Sequence, residues 1–181
     1  MLTPAQQTTL LRIARDSIGS RLEGRSLAID PAGHDEALRR PSGAFVTLRA
    51  GDGQLRGCIG SVAAVDPLCR AVAQSAVNAA FCDPRFPPLR GEEFPLVGLE
   101  ISVMGPVVPV SAIDEIVCGR DGLIVSRGSF AGLLLPQVAS ERSWDRETFL
   151  RHACLKAGLH AWAWREEDTR IARFSAEVFC E

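Results

Sequence analysis

The chain has 181 residues, a formal net charge of −2, and a composition of 46% hydrophobic and 23% charged residues. This is the composition of an ordinary globular protein, and it argues against a disordered or fibrous one. A weak negative charge, without a basic run interleaved with aromatic residues, argues against binding to nucleic acid. The sequence shows neither a signal-peptide pattern nor about 20 consecutive apolar residues, so we expect a cytoplasmic protein that does not associate with a membrane.

The cysteine and histidine pattern gives no sign of a metal site. The cysteines are widely spaced without a CxxC pair, and the histidines lack an HExxH or other paired spacing. Cysteines of a cytoplasmic protein are expected to be reduced, which leaves core packing or a lone reactive thiol as their roles. No cofactor motif is evident in the chain. The cysteines are Cys58, Cys69, Cys82, Cys118, Cys154 and Cys180.

The first predicted element is a helix from Pro4 to about Gly19. Thr3 and Gln6 have the spacing of a capping box, proline is favoured at the first helical position, and apolar residues follow at helical spacing. The apolar period then disappears between residues 21 and 42 among several glycines and prolines. We interpret that segment as a surface connection.

A β-hairpin is predicted next. Residues 44–50 alternate between the two faces of a strand, Gly51-Asp52-Gly53 supplies a turn, and a second strand begins at Leu55. The glycines of this turn precede a strand rather than a helix, and no Gly-Lys-Ser/Thr follows them. This context argues against a phosphate-binding loop.

The second strand of the hairpin reads LRGCIG and carries the candidate site. Alternation along the strand places Arg56 and Cys58 on one face. The opposite, core face then receives Leu55 and Ile59. A guanidinium near a thiol favours the nucleophilic thiolate, which makes the polar face a candidate for chemistry. Close approach of another backbone or a ligand is expected at the two glycines of the motif, Gly57 and Gly60.

A second helix is predicted from Pro67 to Phe81, with Asp66 as its cap. The proline-rich loop FCDPRFPPL ends it, and Asp83 and Arg85 lie among these prolines. The two charged residues form either a local salt-bridged turn or a ligand clamp, since prolines reduce the entropy lost on binding. The polar stripe of the helix consists of Arg70, Gln74 and Asn78.

The clearest two-residue period in the chain runs over residues 97–104. It predicts a strand in which Glu100 lies on the face opposite the core. If this strand joins LRGCIG in one sheet, Glu100 and Ser102 share a face with the arginine and cysteine of that motif. The alternative is an ordinary solvated polar face.

The second half of the chain repeats the same kinds of element. A short helix is predicted at 111–117, a hairpin with strands at 123–126 and 130–135, a helix at 145–158 and a closing strand at 172–180. Each half therefore contains a hairpin, a helix and a further strand. This pattern predicts an α+β fold in which duplicated hairpin-helix-strand units form a mostly antiparallel sheet covered by helices. We expect one domain over residues 1–181, or two lobes at about 1–110 and 111–181.

Five segments of the chain resemble the AMMECR family: LRGCIGS, NAAFCDPRFPPL, LEISV, LLLPQVASERSWDRETFLRHACLKAGL and the terminal FSAEVF. In bacteria and archaea this family is called protein A of the AmmeMemoRadiSam system. The resemblance covers essentially the whole chain and implies a duplicated fold with one largely antiparallel sheet. It also implies an association with a MEMO-type protein, which resembles extradiol dioxygenases, and with a radical-SAM protein. No reaction is assigned to the family.

The resemblance implies a set of functional residues that are spread over these motifs. One departure is ASERSWD, where relatives are more acidic before the tryptophan, so no role is carried over to Arg142 or Ser143. The matched residues are Arg56, Gly57, Cys58, Gly60, Asn78, Asp83, Arg85, Phe86, Glu100, Pro136, Gln137, Glu141, Trp144 and Lys156.

Two functions from different classes follow from these residues. The first is an enzyme acting on a small anionic substrate, in which Cys58 is the nucleophile and Arg56 stabilises its thiolate. Glu100 or Asp83 would transfer protons, because no histidine has a sequence context that brings it to Cys58. The residues assigned to substrate binding are Gly57, Gly60, Asn78, Asp83, Arg85, Phe86, Gln137, Glu141 and Lys156.

The second function is that of a non-catalytic adaptor. Its cleft would receive a small ligand, or a segment of the MEMO-type or radical-SAM partner. The matched arginine, glutamate and glutamine side chains serve equally well as hydrogen-bonding groups for such a role. Cys58 would then be a small buried hydrophobic residue.

Overall fold

A computed structural model describes residues 1–181, and the chain divides into two compact units. The first unit comprises Met1–Met104 with Glu177–Glu181, and the second comprises Gly105–Ala176. None of the helices is both long enough and apolar enough to cross a membrane.

The first unit contains three helices and the first three strands of the chain. Thr3 caps helix α1 by accepting the N–H of Gln6, and the Gln6 side chain accepts the N–H of Thr3 in return, which confirms the capping box. The helix runs past the expected end at Gly19, because Leu22 still packs against the core. The elements are α1 (Pro4–Leu22), α2 (Glu36–Arg39), β1 (Ala44–Arg49), β2 (Leu55–Ser61), α3 (Leu68–Phe81) and β3 (Gly98–Met104).

The three strands of this unit pair antiparallel in the order β2-β1-β3. Their core face carries residues such as Val46, Leu48 and Ile101, which are fully buried. Helices α1 and α3 supply most of the rest of this hydrophobic core. The fold of the unit therefore follows directly from the alternation in its strands and the apolar stripes of its helices.

Helix α3 lies very close to the sheet at Gly57. A Cβ atom at this position would come within 2.2 Å of the Ala79 carbonyl oxygen, so only glycine fits. Gly60 is restricted in the same way, because a Cβ there would lie 2.2 Å from the Ala44 carbonyl oxygen. The expected close approach at both glycines is confirmed, and the approaching group is backbone in each case.

Three local predictions in the first unit were wrong. Leu55 is 38% exposed rather than in the core, because an irregularity in register between Leu48 and Arg49 disturbs the pairing at that end of the hairpin. Helix α3 starts one residue after Pro67 and receives no side-chain cap from Asp66. The connection after α1 contains helix α2, whose Leu38 is buried in the core.

The second unit contains β4 (Val108–Pro109), β5 (Asp121–Arg127), β6 (Phe130–Leu134), α4 (Pro136–Glu141), α5 (Arg146–Lys156) and most of β7 (Arg170–Cys180). Its strands pair antiparallel in the order β6-β5-β7, and β4 pairs with β7 as well. Asp145 caps α5 by accepting the N–H of Thr148, as the sequence predicted.

The structure of this unit differs from the sequence prediction at two places. The helix expected at 111–117 is only a 3₁₀ turn, Ile113–Glu115. Helix α4 was not predicted, since its six residues are too few to show a helical period, although Pro136 occupies the favoured first position.

The two units have the same internal plan. Each consists of a hairpin, a helix and a third strand that pairs with the first strand of the hairpin. Gly132 is the third residue of β6, as Gly57 is of β2, and a Cβ there would lie 2.4 Å from the Ala157 nitrogen just after α5. The predicted α+β fold with antiparallel strands and repeated hairpin-helix-strand units is thus confirmed.

Candidate functional site

The candidate site is built on a polar row that crosses the three strands of the first unit. Thr47 in β1 is the register partner of Cys58 in β2 and of Glu100 in β3. The neighbouring residue Gly57 faces α3, so alternation directs the row to the opposite face of the sheet. The Thr47 hydroxyl lies 3.3 Å from the Cys58 sulfur and donates a hydrogen bond to it. Glu100 and Cys58 therefore share a face, as the sequence indicated.

Arg56 is held in place by Glu93. Its Nε donates to Glu93 Oε1 at 3.1 Å and its Nη2 donates to Oε2 at 3.2 Å, a two-point ion pair. The Arg56 side chain is only 12% exposed, and its third nitrogen, Nη1, is buried without a hydrogen-bond partner. Arg56, followed by the Arg90 N–H, holds the pKa of the Glu93 carboxyl below its ordinary value. The guanidinium is thus fixed and neutralised while one donor stays free.

The hydrogen-bond partner of Arg56 is Glu93 and not the predicted Cys58. No hydrogen bond joins its guanidinium to Cys58, because the side chain extends to Glu93, which lies well beyond α3 in sequence. Side chains two residues apart on a strand are separated by about 7 Å along it, so a shared face does not by itself create a contact. The paired charge of Arg56 also has less effect on a nearby thiol than a free guanidinium would.

Asp83 secures the outer edge of β2 at Cys58. Its carboxylate accepts the Cys58 N–H at 2.9 Å and three N–H groups of Arg85, and the Arg85 Nη2 donates in turn to the Cys58 carbonyl at 3.2 Å. The Asp83 side chain is 1% exposed, and the Arg85 guanidinium holds the pKa of this carboxyl well below its usual range. The geometry is that of the salt-bridged turn, one of the two interpretations left open by the sequence.

Glu100 and Arg49 complete the polar row on the β3 side. The Arg49 Nη2 and Nε lie 3.3 and 3.4 Å from Glu100 Oε2. Glu100 is largely covered, whereas Arg49 is more exposed. The carboxylate therefore already has a cationic partner within the sheet.

The second unit provides an internal comparison for this row. Aligning Gly57 with Gly132 makes Ile124, Leu133 and Ala172 equivalent to Thr47, Cys58 and Glu100, because the strand registers correspond. All three equivalents are apolar. The repeated plan therefore does not require polar residues at these positions.

Asn78 does not belong to the polar row. It lies on the outer side of α3, where it lines a groove of about 770 Å³ together with the end of α1 and the segment that follows α1. Arg56, Cys58 and Glu100 are not among the residues that line this groove. The structure thus separates Asn78 from the residues with which the sequence had grouped it.

Comparison with known proteins agrees with this architecture. The family model described as AMMECR1 matches residues 11–179 of the chain. The chain belongs to the AMMECR1 family.

Its relatives in this family include proteins without a described function. A protein of Aeropyrum pernix is 46% identical over 191 residues, spanning 99% of this chain and 80% of that protein. A protein of Thermofilum pendens is 41% identical over 195 residues, spanning 99% of this chain and 92% of the other. The crystal structure of an uncharacterized protein from Pyrococcus horikoshii is similar with a TM-score of 0.88 and 40% identity, covering 96% of this chain and 90% of that one.

Five of the matched residues lie in the second unit, and the first of them, Pro136, is buried at the start of α4. The Gln137 side-chain oxygen is buried without a partner, whereas Glu141 is exposed at the end of α4. Trp144 and Lys156 line a second cavity of about 310 Å³. The indole of Trp144 stacks on the His152 ring, with centroids 4.0 Å apart. Trp144 and Lys156 are therefore brought together in that unit, whereas Gln137 and Glu141 do not line the same cavity.

Sequence reasoning missed three participants in the site. Thr47 and Arg49 alternate onto the polar face of β1, and the register of a hairpin with a known turn would have placed Thr47 beside Cys58. Glu93 had no such signal, because it reaches Arg56 across 37 positions of sequence from outside any regular strand or helix.

Proposed function

We propose that the first unit binds a small molecule at its polar row through Arg56. The single observation that supports this is the unpaired Nη1 of a guanidinium whose other two nitrogens each donate to Glu93. A buried donor without a partner costs about 1–3 kcal/mol, so a ligand that satisfies it gains that contribution on binding. The polar row supplies further contacts beside it through Thr47 and Cys58.

The free donor defines the chemistry of the ligand. It calls for an oxygen acceptor, such as a carbonyl or carboxylate oxygen. Because Glu93 neutralises the Arg56 charge, a neutral carbonyl suits the site as well as an anion does. The Phe86 ring lies 6.0 Å from the Arg56 Cζ and gives the site an apolar wall.

A second candidate is the cysteine-centred enzyme. The observation that favours it is the half-buried Cys58 thiol, whose sulfur accepts a hydrogen bond from Thr47, since such a donor stabilises a thiolate. Glu100 would then serve as the proton acceptor. Asp83 is unsuited to that task, because its carboxylate is saturated with hydrogen bonds and its pKa is strongly lowered by Arg85.

We extend the proposal to the partners implied by the family resemblance. A MEMO-type protein and a radical-SAM protein would use or supply the molecule bound at the polar row. Under this proposal the chain acts as the ligand-binding member of the set, and substitution of Arg56 reduces both ligand binding and any ligand-dependent association.

Benzoate and benzamide test the binding proposal, because they offer a carboxylate and a carbonyl acceptor on the same ring. In an NMR titration we expect saturable shifts of the amide signals of residues 56–60 for at least one probe. Replacing Arg56 by Met removes the donor and should weaken this binding about tenfold. Arg12→Met is the matched control, because Arg12 is an exposed arginine on α1.

Two further measurements distinguish the candidates. If the site only binds, Cys58→Ser retains the probe shifts, and Cys58 reacts with iodoacetamide at the rate of an ordinary thiol with a pKa of about 8.5. Faster alkylation at neutral pH would favour the enzyme. Absence of saturable shifts with either probe, or shifts that Arg56→Met leaves unchanged, would contradict the binding proposal.

A further inference from the structure

A second site is suggested by the groove that contains Asn78, here called the α1–α3 groove. Its walls are the last turn of α1 with the following segment Gly24–Ile29, and the outer face of α3. Its volume of about 770 Å³ lies within the range of small-molecule sites, roughly 300–1,000 Å³. It is independent of the polar row, which contributes no residue to it.

The charge of the groove is predominantly positive. Arg21, Arg25 and Arg70 line it, with Asp66 as the only acidic residue. Arg25 is paired with Glu23, but the Arg21 side chain makes no hydrogen bond or ion pair. The chain as a whole has a net charge of −2, so the groove is a local region of positive charge. Such a region favours the binding of an anion.

The wall after α1 is held in a defined position. Gly24 adopts a left-handed conformation with φ of 73°, and the Arg25 N–H donates to the Ser20 carbonyl at 2.8 Å, which fixes the turn out of the helix. The Arg70 Nε donates to the Ile29 carbonyl at 3.0 Å and so joins this segment to α3. Both Nη groups of Arg70 are left for other partners. Because these walls are already fixed, little conformational entropy is lost when a ligand binds.

Helix α3 presents an ordered polar stripe to the groove. Arg70, Gln74 and Asn78 follow at four-residue spacing and share one side of the helix. The Gln74 Nε2 donates to the Asn78 Oδ1 at 2.9 Å, so the Asn78 amide directs its own N–H₂ group elsewhere. Beside this stripe, Val77 and Phe81 provide apolar surface. The groove therefore combines cationic, amide and apolar groups.

We propose that the α1–α3 groove binds a small organic anion. Its phosphate or carboxylate group would lie between Arg21 and Arg70, where the guanidinium donors are free. The Asn78 amide would donate to a second oxygen of the ligand. The organic part would cover Val77 and Phe81.

The proposal is tested by NMR titration of the whole chain with phenyl phosphate, benzoate and inorganic phosphate. We expect saturable shifts of the amides of residues 24–29 and 70–82 with phenyl phosphate or benzoate, and the tighter of the two identifies the anionic group. Inorganic phosphate should bind more weakly than phenyl phosphate, since it cannot cover the apolar surface. Equal binding of these two would overturn the organic part of the proposal.

Substitutions of single arginines test where the anion binds in the groove. Arg21→Gln should weaken the tighter probe about tenfold, whereas Arg12→Gln, also on α1 and exposed, should leave its affinity unchanged. The Arg21 side chain makes no hydrogen bond or ion pair within the chain, so its substitution should leave the fold intact, and Arg70→Gln then tests the opposite wall. No saturable shift with either aromatic probe, or equal weakening by the Arg12 variant, would overturn the proposal. The polar-row test uses other signals, those of residues 56–60, and therefore succeeds or fails separately.

Discussion

Asp83 joins the outer edge of β2 to the loop that follows α3. Its buried carboxylate accepts four hydrogen bonds, one of them from the Cys58 backbone. The Arg85 side chain is 54% exposed, so solvent screens the ion pair and the stabilisation comes mainly from the buried acceptor. A side chain outside the sheet therefore helps the strand pairing to hold Cys58, and with it the polar row, in place.

Asp83→Asn should lower the free energy of unfolding at neutral pH by about 1–3 kcal/mol, because an amide cannot accept all of these bonds. The folded-state pKa of Asp83 lies below the unfolded value of about 3.9. Its contribution is thus present above pH 4 and lost as the pH falls below that value. Urea unfolding at a series of pH values from 7 to 2 measures this. The difference in unfolding free energy between wild type and variant should become smaller as the pH falls.

The matched control for this prediction is Asp52→Asn, in the exposed turn of the first hairpin. The Asp52 side chain accepts only the Gln54 N–H, which asparagine also does. Its effect should be small at every pH. If the difference in unfolding free energy between wild type and the Asp83 variant stayed constant down to pH 2, the charge of Asp83 would not be the cause of that difference.

At the scale of elements, each unit depends on a helix placed directly against the backbone of a hairpin. Gly57 makes this possible for α3, and Gly132 does so for the segment that ends α5. Larger residues at these positions would push the helix away from the strand. The repeated glycine is thus a packing requirement, which explains Gly57 without a role in ligand binding.

Gly57→Ala should destabilise the protein by about 1–3 kcal/mol, the usual cost of forcing extra volume into a packed interior. Gly98→Ala is the control, because Gly98 is also in a strand but has no atom within 4 Å of its Cβ position. Chemical denaturation measures both. Equal effects of the two substitutions would mean that strand propensity, rather than contact with Ala79, limits position 57.

At the scale of the whole molecule, the six cysteines are all free and differ widely in exposure. Cys69 and Cys154 are fully buried, and burial raises the pKa of each thiol. Cys82 and Cys180 are exposed. The chain therefore contains protected and accessible thiols in both halves of its sequence.

Ellman's reagent should consequently modify Cys82 and Cys180 rapidly in the native protein. The partly buried thiols, Cys58 and Cys118, should react more slowly. Cys69 and Cys154 should react only after denaturation, because burial disfavours the thiolate and the thiolate is the reacting form. Peptide mapping of the modified chain identifies each class. Rapid modification of Cys69 or Cys154 would mean that the native core opens readily.

Much of this fold was predictable, because alternation and helical periods are local properties of the sequence. They placed the hairpin, α3 and β3, and they put Cys58 and Glu100 on one face. The contacts that decide the site are not local. Glu93 joins Arg56 from outside the regular elements, and the position of Asn78 depends on how α3 rotates against the sheet. Packing of the complete unit determines both.

Asp83 and Arg85 both form hydrogen bonds with the backbone of Cys58. This pair of bonds, here called the clasp, limits how another chain can approach β2. An edge strand normally offers free N–H and C=O groups to a passing peptide. At Cys58 both groups are already occupied, the N–H by Asp83 and the carbonyl by Arg85. A guest strand therefore cannot extend the sheet at this point without breaking the clasp, which discourages polymerisation through that edge and restricts partners there to recognition by side chains.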